Sequence, residues 1–208
     1  MKQLLIRLLV AAALLALTPA QAFAGRVHPD RDFSVNVPDG WQTLSDGIRQ
    51  NVPPSVSSVM DCVDDVPSEL KMVGWKTGPN DKVEGAFCIT YKKGGFAKVR
   101  QALKESTGKD RESLVAKYMD SVAAHIKQGY ENKRRMRVAM TGELLKAGDG
   151  FVLVLEGRVK EGDTQRARTS TVYLHGDGQL NISGLYALDA PDDVLNALDA
   201  MPVSLQWN

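Results

Sequence analysis

The chain is poor in the residues that most often carry chemistry: two cysteines and three histidines in 208 residues, with aromatics at 6%. It contains no Gly-x-Ser-x-Gly elbow, no His-Glu-x-x-His helix, no phosphate loop and no dinucleotide fingerprint. Those absences remove the common hydrolase, zinc-protease and nucleotide-binding readings. A surplus of charge is also missing, since 26 basic residues face 25 acidic ones, so bulk nucleic-acid binding gets no support. No low-complexity run or long repeat interrupts the sequence, and apolar content is ordinary, which excludes a disordered chain.

What is present begins with an export signal. Lys2 and Arg7 precede an apolar run from Leu8 to Leu17, followed by Pro19 and Ala20-Gln21-Ala22-Phe23-Ala24-Gly25. Charge, a short apolar stretch and alternating small residues make a cleavable leader. Cleavage is expected after Ala24, with Ala22 as the alternative. The run is well short of the ~20 residues that span a bilayer, and no later stretch is longer and as apolar. Loss of the leader takes Lys2 and Arg7 with it and leaves 24 of the 26 basic residues against all 25 acidic ones. The expected product is a single domain over 25–208 in the periplasm or outside the cell, not spanning the membrane.

Export places Cys62 and Cys88 where disulfides persist. Their spacing matches neither a paired-thiol redox motif nor a zinc ligand pattern. A Cys62–Cys88 bond is expected, stabilising by about 3–4 kcal/mol through loop closure; two separate buried thiols are the bland alternative.

Alternation marks the strands. Phe33, Val35 and Val37 share one face before the Pro38-Asp39-Gly40 turn. The stretch from Ser45 to Ser68 is irregular, with a short helix after Pro53-Pro54. Leu70–Lys76 and Ala86–Lys92 read as paired strands, the second with Phe87, Ile89 and Tyr91 on one face and Cys88 on the other. Phe96, Val99 and Leu103 mark a short helix. Leu114, Val115, Tyr118, Met119, Val122, Ala123 and Ile126 form a broad helical stripe, read as core packing. Four strands follow as a meander through Gly/Asp turns. A last helix opens at Asp192-Asp193 and is stopped by Pro202, before a closing strand over Val203–Trp207. Strands in a meander with helices inserted between sets argue for an α+β domain. Phe151–Leu155 is apolar on both faces, so helices should cover both sides of a largely antiparallel sheet, an α/β/α sandwich.

This order of elements resembles the PsbP-like superfamily, which includes an extrinsic photosystem subunit, a Ran-binding nuclear import factor and small bacterial envelope proteins. The residues that carry the resemblance are Phe33-Ser34-Val35-Asn36-Val37-Pro38-Asp39-Gly40-Trp41, the long helix, the meander and the ending through Ser204-Leu205-Gln206-Trp207. The resemblance implies a non-enzymatic accessory or partner-binding domain and carries over no binding residue.

The remaining motifs are weak. Ser68-Glu69-Leu70-Lys71 and Lys76-Thr77-Gly78 mimic a penicillin-binding signature, but both fall within one strand region and cannot converge on a pocket. His28, in a mobile N-terminal segment, His125 and His175 are scattered. Asp61, Asp64 and Asp65 lack calcium-loop spacing and read as solvated charge. Asn181-Ile182-Ser183 is a glycosylation sequon inside a strand, and is discounted. Arg135, Arg137, Arg158, Lys160, Arg166 and Arg168 alternate away from apolar residues and form a candidate basic face for an acidic protein or another anionic envelope component. The function expected is thus a non-catalytic periplasmic interaction domain, without cofactor or metal. The alternatives are a small-ligand or lipid carrier with a pocket between sheet and helices, and, third, an enzyme of unrecognised type.

Overall fold

The computed structural model describes residues 23–45, 51–53, 56, 70–134, 137–147, 150–161 and 164–208, much of 122–147 and all of 158–168 by backbone alone. Residues 1–22, Asp61, Cys62, Asp64, Asp65, Ser68 and Arg135 lie outside the described residues.

The alternating apolar residues near the start build a small sheet. Strand β1 (Phe23–Asp30) runs antiparallel to β2 (Phe33–Pro38), with Val27 opposite Val35. On its other edge β2 pairs with β10 (Gln206–Trp207), Trp207 opposite Phe33. Both ends of the domain thus meet in one three-stranded sheet, β1-β2-β10.

The remaining strands are β3 (Gln42–Leu44), β4 (Leu70–Thr77), β5 (Val83–Lys93), β6 (Arg137–Ala147), β7 (Gly150–Glu161), β8 (Thr164–His175) and β9 (Gly178–Ala187). They form a seven-stranded sheet in the order β3-β4-β5-β9-β8-β7-β6, every described pair antiparallel. Consecutive meander strands pair up to Ala147 with Gly150, Glu161 with Thr164 and His175 with Gly178, and the last of these connections is a described two-residue turn. Gly176, first in that turn, has φ 57°, the positive value that a type II′ hairpin turn requires there.

Helices lie on both faces of this sheet, although β7 itself joins the core on one face only and its other face stays half-buried. On one face, α1 (Ala97–Glu105) and α2 (Gly108–Arg134) cover Phe151, Leu153 and Leu155 of β7 and Val172 and Leu174 of β8. Leu103 from α1 is fully buried there, and Leu114, Val115, Tyr118 and Met119 of α2 pack as the expected stripe. On the other face, the small sheet and α3 (Asp192–Val203) enclose Met72, Phe87, Ile89, Tyr91, Leu180 and Ile182. Two glycines let α3 come close. A Cβ on Gly85 would lie 2.5 Å from Val194 Cγ1, and one on Gly184 would lie 3.1 Å from Leu198 Cδ2. Truncating a fully buried contact such as Met201 to alanine costs about 2–5 kcal/mol.

Three expectations are corrected. His28 belongs to β1, which is held by its ladder with β2 and by Val27 against the core; Gly25 and Pro29 inside the segment leave no sustained alternation to reveal the strand. The last helix passes through Pro202 to Val203, because the proline sits in the final turn and Ser204 N–H closes the end on Ala200 and Met201 carbonyls. The closing strand accordingly shrinks to Gln206–Trp207, and it joins the opening strand in a separate sheet.

Candidate functional site

A row of cross-strand neighbours on the α3 face shows where that face is left open. Leu145 stands opposite Val152, Val152 opposite Tyr173, Tyr173 opposite Leu180, and Leu180 opposite Tyr91. Leu180 is fully buried, Val152 and Tyr173 are half-buried, and Leu145 is 46% exposed. The cover therefore stops at Tyr173, and the apolar row continues into solvent across β7 and β6.

The end of α3 forms the opposite wall. Tyr173 donates from its hydroxyl to the Pro202 carbonyl at 2.6 Å, and its phenol is pushed above its usual range by burial. Val203, 65% exposed, Leu205 and Trp207 complete an open groove of about 450 Å³. The Trp207 indole is held on three sides: stacked on His175 at 4.4 Å and 14°, edge-on to Phe33 at 6.1 Å, and tilted to Tyr91 at 6.2 Å. A rigid aromatic bordering exposed aliphatic carbon is the composition of an interaction surface.

Beyond Tyr91 lies a second depression of about 360 Å³, lined by Asp30, Arg31, Asp32, Lys71 and Lys93. Here the charges are spent on one another. Lys71 pairs with Asp30 at 2.8 Å, and Asp32 accepts from Lys93 at 2.8 Å and from the Tyr91 hydroxyl at 3.2 Å. Burial raises the Asp30 carboxyl, but the bonds from Lys71 and the Asp32 backbone N–H outweigh it and leave the group below its usual range. The Lys93 ammonium holds Asp32 low, assisted by Tyr91. Burial and the bond to Asp32 push the Tyr91 phenol up to about 12. Ionised carboxylates fixed by lysines are structural clasps between the small sheet and the large one, not a general acid and base held at different charge states.

No protein-family model and no curated protein matches the chain. Among solved structures, cyanobacterial PsbP from Synechocystis sp. PCC 6803 superposes with a TM-score of 0.55 over 92% of this chain and 96% of its own, at 14% identity. The fold is PsbP-like. LpqN of Mycobacterium tuberculosis, described as involved in cell envelope biogenesis, aligns over 88% of this chain and 90% of its own with a TM-score of 0.48 and 13% identity.

Within the PsbP-like fold the sequence-predicted residues disperse. Arg137 stands opposite Lys160, and Arg158 opposite Ala139, so register places Arg137, Arg158 and Lys160 on the α3 face of the sheet at one end of β6 and β7. Arg166 stands opposite Val159 and Arg168 opposite Gly157, positions on the other face. Cys88 is buried on β5, on the face away from Phe87 and Ile89 as expected, while Cys62 lies outside the described residues. Lys71 is committed to Asp30 and Lys76 to Asp193, while Ser68 lies outside the described residues. His175 stacks on Trp207, and His125 lies along α2. Asn181 accepts from Ser183 inside β9. Among the described residues no group of three metal-ligating side chains converges.

Sequence reasoning missed the groove. Its residues come from β7, β8, α3 and β10, and each reads locally as an ordinary core position. The one available signal was the continuation of apolar residues at Val152 and Leu145 on the face opposite Phe151 and Leu153.

Proposed function

We propose that this chain is an exported, non-catalytic accessory domain that docks on a component of the cell envelope. The observation that carries the reading is the uncovered apolar row from Tyr173 to Leu145, continued by Val203 and bordered by the clamped Trp207. An exposed apolar strip next to a rigid aromatic anchor gains most from burial against a protein surface. The leader carrying Lys2, Arg7 and the Leu8–Leu17 run supports export, with cleavage after Ala24. In an oxidising compartment Cys62 and Cys88 close a disulfide. The non-enzymatic accessory role implied by the PsbP-like resemblance, and the ion-paired carboxylates of the second depression, point the same way.

The test is site-specific photo-crosslinking from Val203 in the native envelope, with mass spectrometry of the captured species. Capture of a defined envelope protein, reduced at least tenfold by Leu145→Asp in a protein with unchanged circular dichroism, is the expected result. Capture that ignores Leu145→Asp sinks the reading.

A second reading, carriage of a small apolar ligand, is favoured by the groove's size, which falls within the roughly 300–1,000 Å³ of ligand sites. Native mass spectrometry separates the two: a small molecule bound one to one in protein isolated from its own envelope indicates carriage.

A further inference from the structure

We infer that β6 is the landing edge for an extended, acidic segment of the docking partner, which adds to the large sheet as an eighth strand; this rests on the docking reading. Strand β6 ends the sheet order and, among the described residues, pairs only with β7. A terminal strand presents a row of backbone N–H and C=O groups to whatever lies alongside. Sheets usually blunt such edges by keeping them short or by breaking them with proline or a bulge. The opposite edge strand, β3, follows that rule with three residues. Strand β6 does not: it runs for eleven residues, contains no proline, and keeps an unshifted register with β7 from Arg137–Lys160 to Ala147–Gly150.

Register also defines the chemistry of the incoming strand. On the α3 face one end of the β6–β7 ladder holds Arg137, Lys160 and Arg158, and the other end holds Leu145 opposite Val152. Arg137 and Leu145 are eight residues apart on one face, about 26 Å at ~3.3 Å per residue. A strand added beside β6 therefore needs carboxylates next to Arg137, an apolar side chain next to Leu145, and no acid beside Glu143. A second copy of this chain, paired along the whole of β6, fits poorly. Antiparallel pairing of two β6 strands about Gly142 would set Arg137 against Ala147 and Glu143 against Thr141, which supplies no carboxylate to the basic end.

The probe is an eleven-residue threonine-rich peptide built for antiparallel pairing, with valine opposite Leu145 and glutamates opposite Ala139 and Arg137, together with its lysine-for-glutamate twin. Fluorescence anisotropy on the full mature chain should show saturable binding of the glutamate peptide, at least tenfold tighter than its twin. Hydrogen exchange should slow over residues 138–145. The combined Arg137→Glu, Arg158→Glu and Lys160→Glu variant should invert the preference, so that the lysine peptide binds and proves the variant folded. Equal binding of the two peptides, protection elsewhere, a preference unmoved by the triple variant, or self-association through β6 each overturns the inference. Capture from Val203 that stays sensitive to Leu145→Asp while the triple variant changes nothing overturns the edge alone and leaves docking standing. A peptide that binds β6 while Val203 captures nothing supports the edge and removes the groove reading.

Discussion

Asp177 occupies the second position of the turn between β8 and β9, yet its carboxylate serves a different element. Its Oδ1 accepts the N–H groups of Phe96 at 3.0 Å and Ala97 at 2.7 Å, at the start of α1. Phe96 sits at the N-cap and supplies no side-chain bond of its own, so the orphan donors of the first turn are satisfied from 80 residues away. The Ala97 N–H leads the bonds that hold the Asp177 carboxyl below its usual range. A depressed carboxyl contributes stability that is present above the unfolded value of ~4 and is lost as pH falls through the folded one. Asp177→Ala should therefore lower Tm at pH 7 and speed exchange over residues 97–105, with the deficit narrowing below about pH 4. Asn in its place should retain most of the cap. Nothing in the local sequence of α1 announces this partner, which is why the helix was legible and its cap was not. Tyrosines give the opposite sign. Burial, with Asp32 added at Tyr91, pushes Tyr91 and Tyr118 up to about 12. A phenol raised above its unfolded value of ~10 contributes stability that is complete below that pH and disappears as pH rises through ~12. Absorbance titration at the phenolate band should show these rings ionising together with an alkaline unfolding step.

The seat of α3 depends on small residues in the strands beneath it. Val194 lies over Gly85 and Leu198 over Gly184, in adjacent strands β5 and β9. Gly85→Ala should cost about 1–3 kcal/mol by overpacking. Val194→Ala in the same chain should return part of that loss, a coupling measurable by a urea double-mutant cycle. Strands were readable wherever apolar and polar residues alternate, as in β2, β5 and β7, and α2 was readable from its stripe. The seat was not, because a glycine within a strand pattern looks the same whether it marks a bulge or a helix resting on it. Register limited the basic face in the same way. Arg158 and Arg168 look equivalent in sequence, but the pairing of β7 with β8 places them on opposite faces.

At the level of the whole molecule, the first and last described strands are tied together. Asn208 donates from its backbone N–H to the Asp32 carbonyl at 3.0 Å and from Nδ2 to the Arg31 carbonyl at 2.9 Å, clamping the turn between β1 and β2. Asn36 N–H reaches Ser204 Oγ at 2.8 Å, and Arg26 binds Ser34 Oγ at 2.9 Å. Removing residues 206–208 takes away β10 and the Trp207 ring packed on Phe33, and should cost at least about 2 kcal/mol, read as a lower urea midpoint with the large sheet still formed. The closing strand was readable but its pairing with β2 was not, and β1, although eight residues long, was hidden because Gly25 and Pro29 interrupt any sustained alternation.

The strand between them imposes an order of events on synthesis. Ser34 must wait for Gln206, which follows it far along the sequence, before its ladder is complete. If the chain is exported as proposed, it reaches the far side with its opening hairpin paired on one edge only, until the segment carrying β10 has followed. A segment that stays unlocked until the last residues emerge is suited to crossing a membrane extended and setting only on the far side.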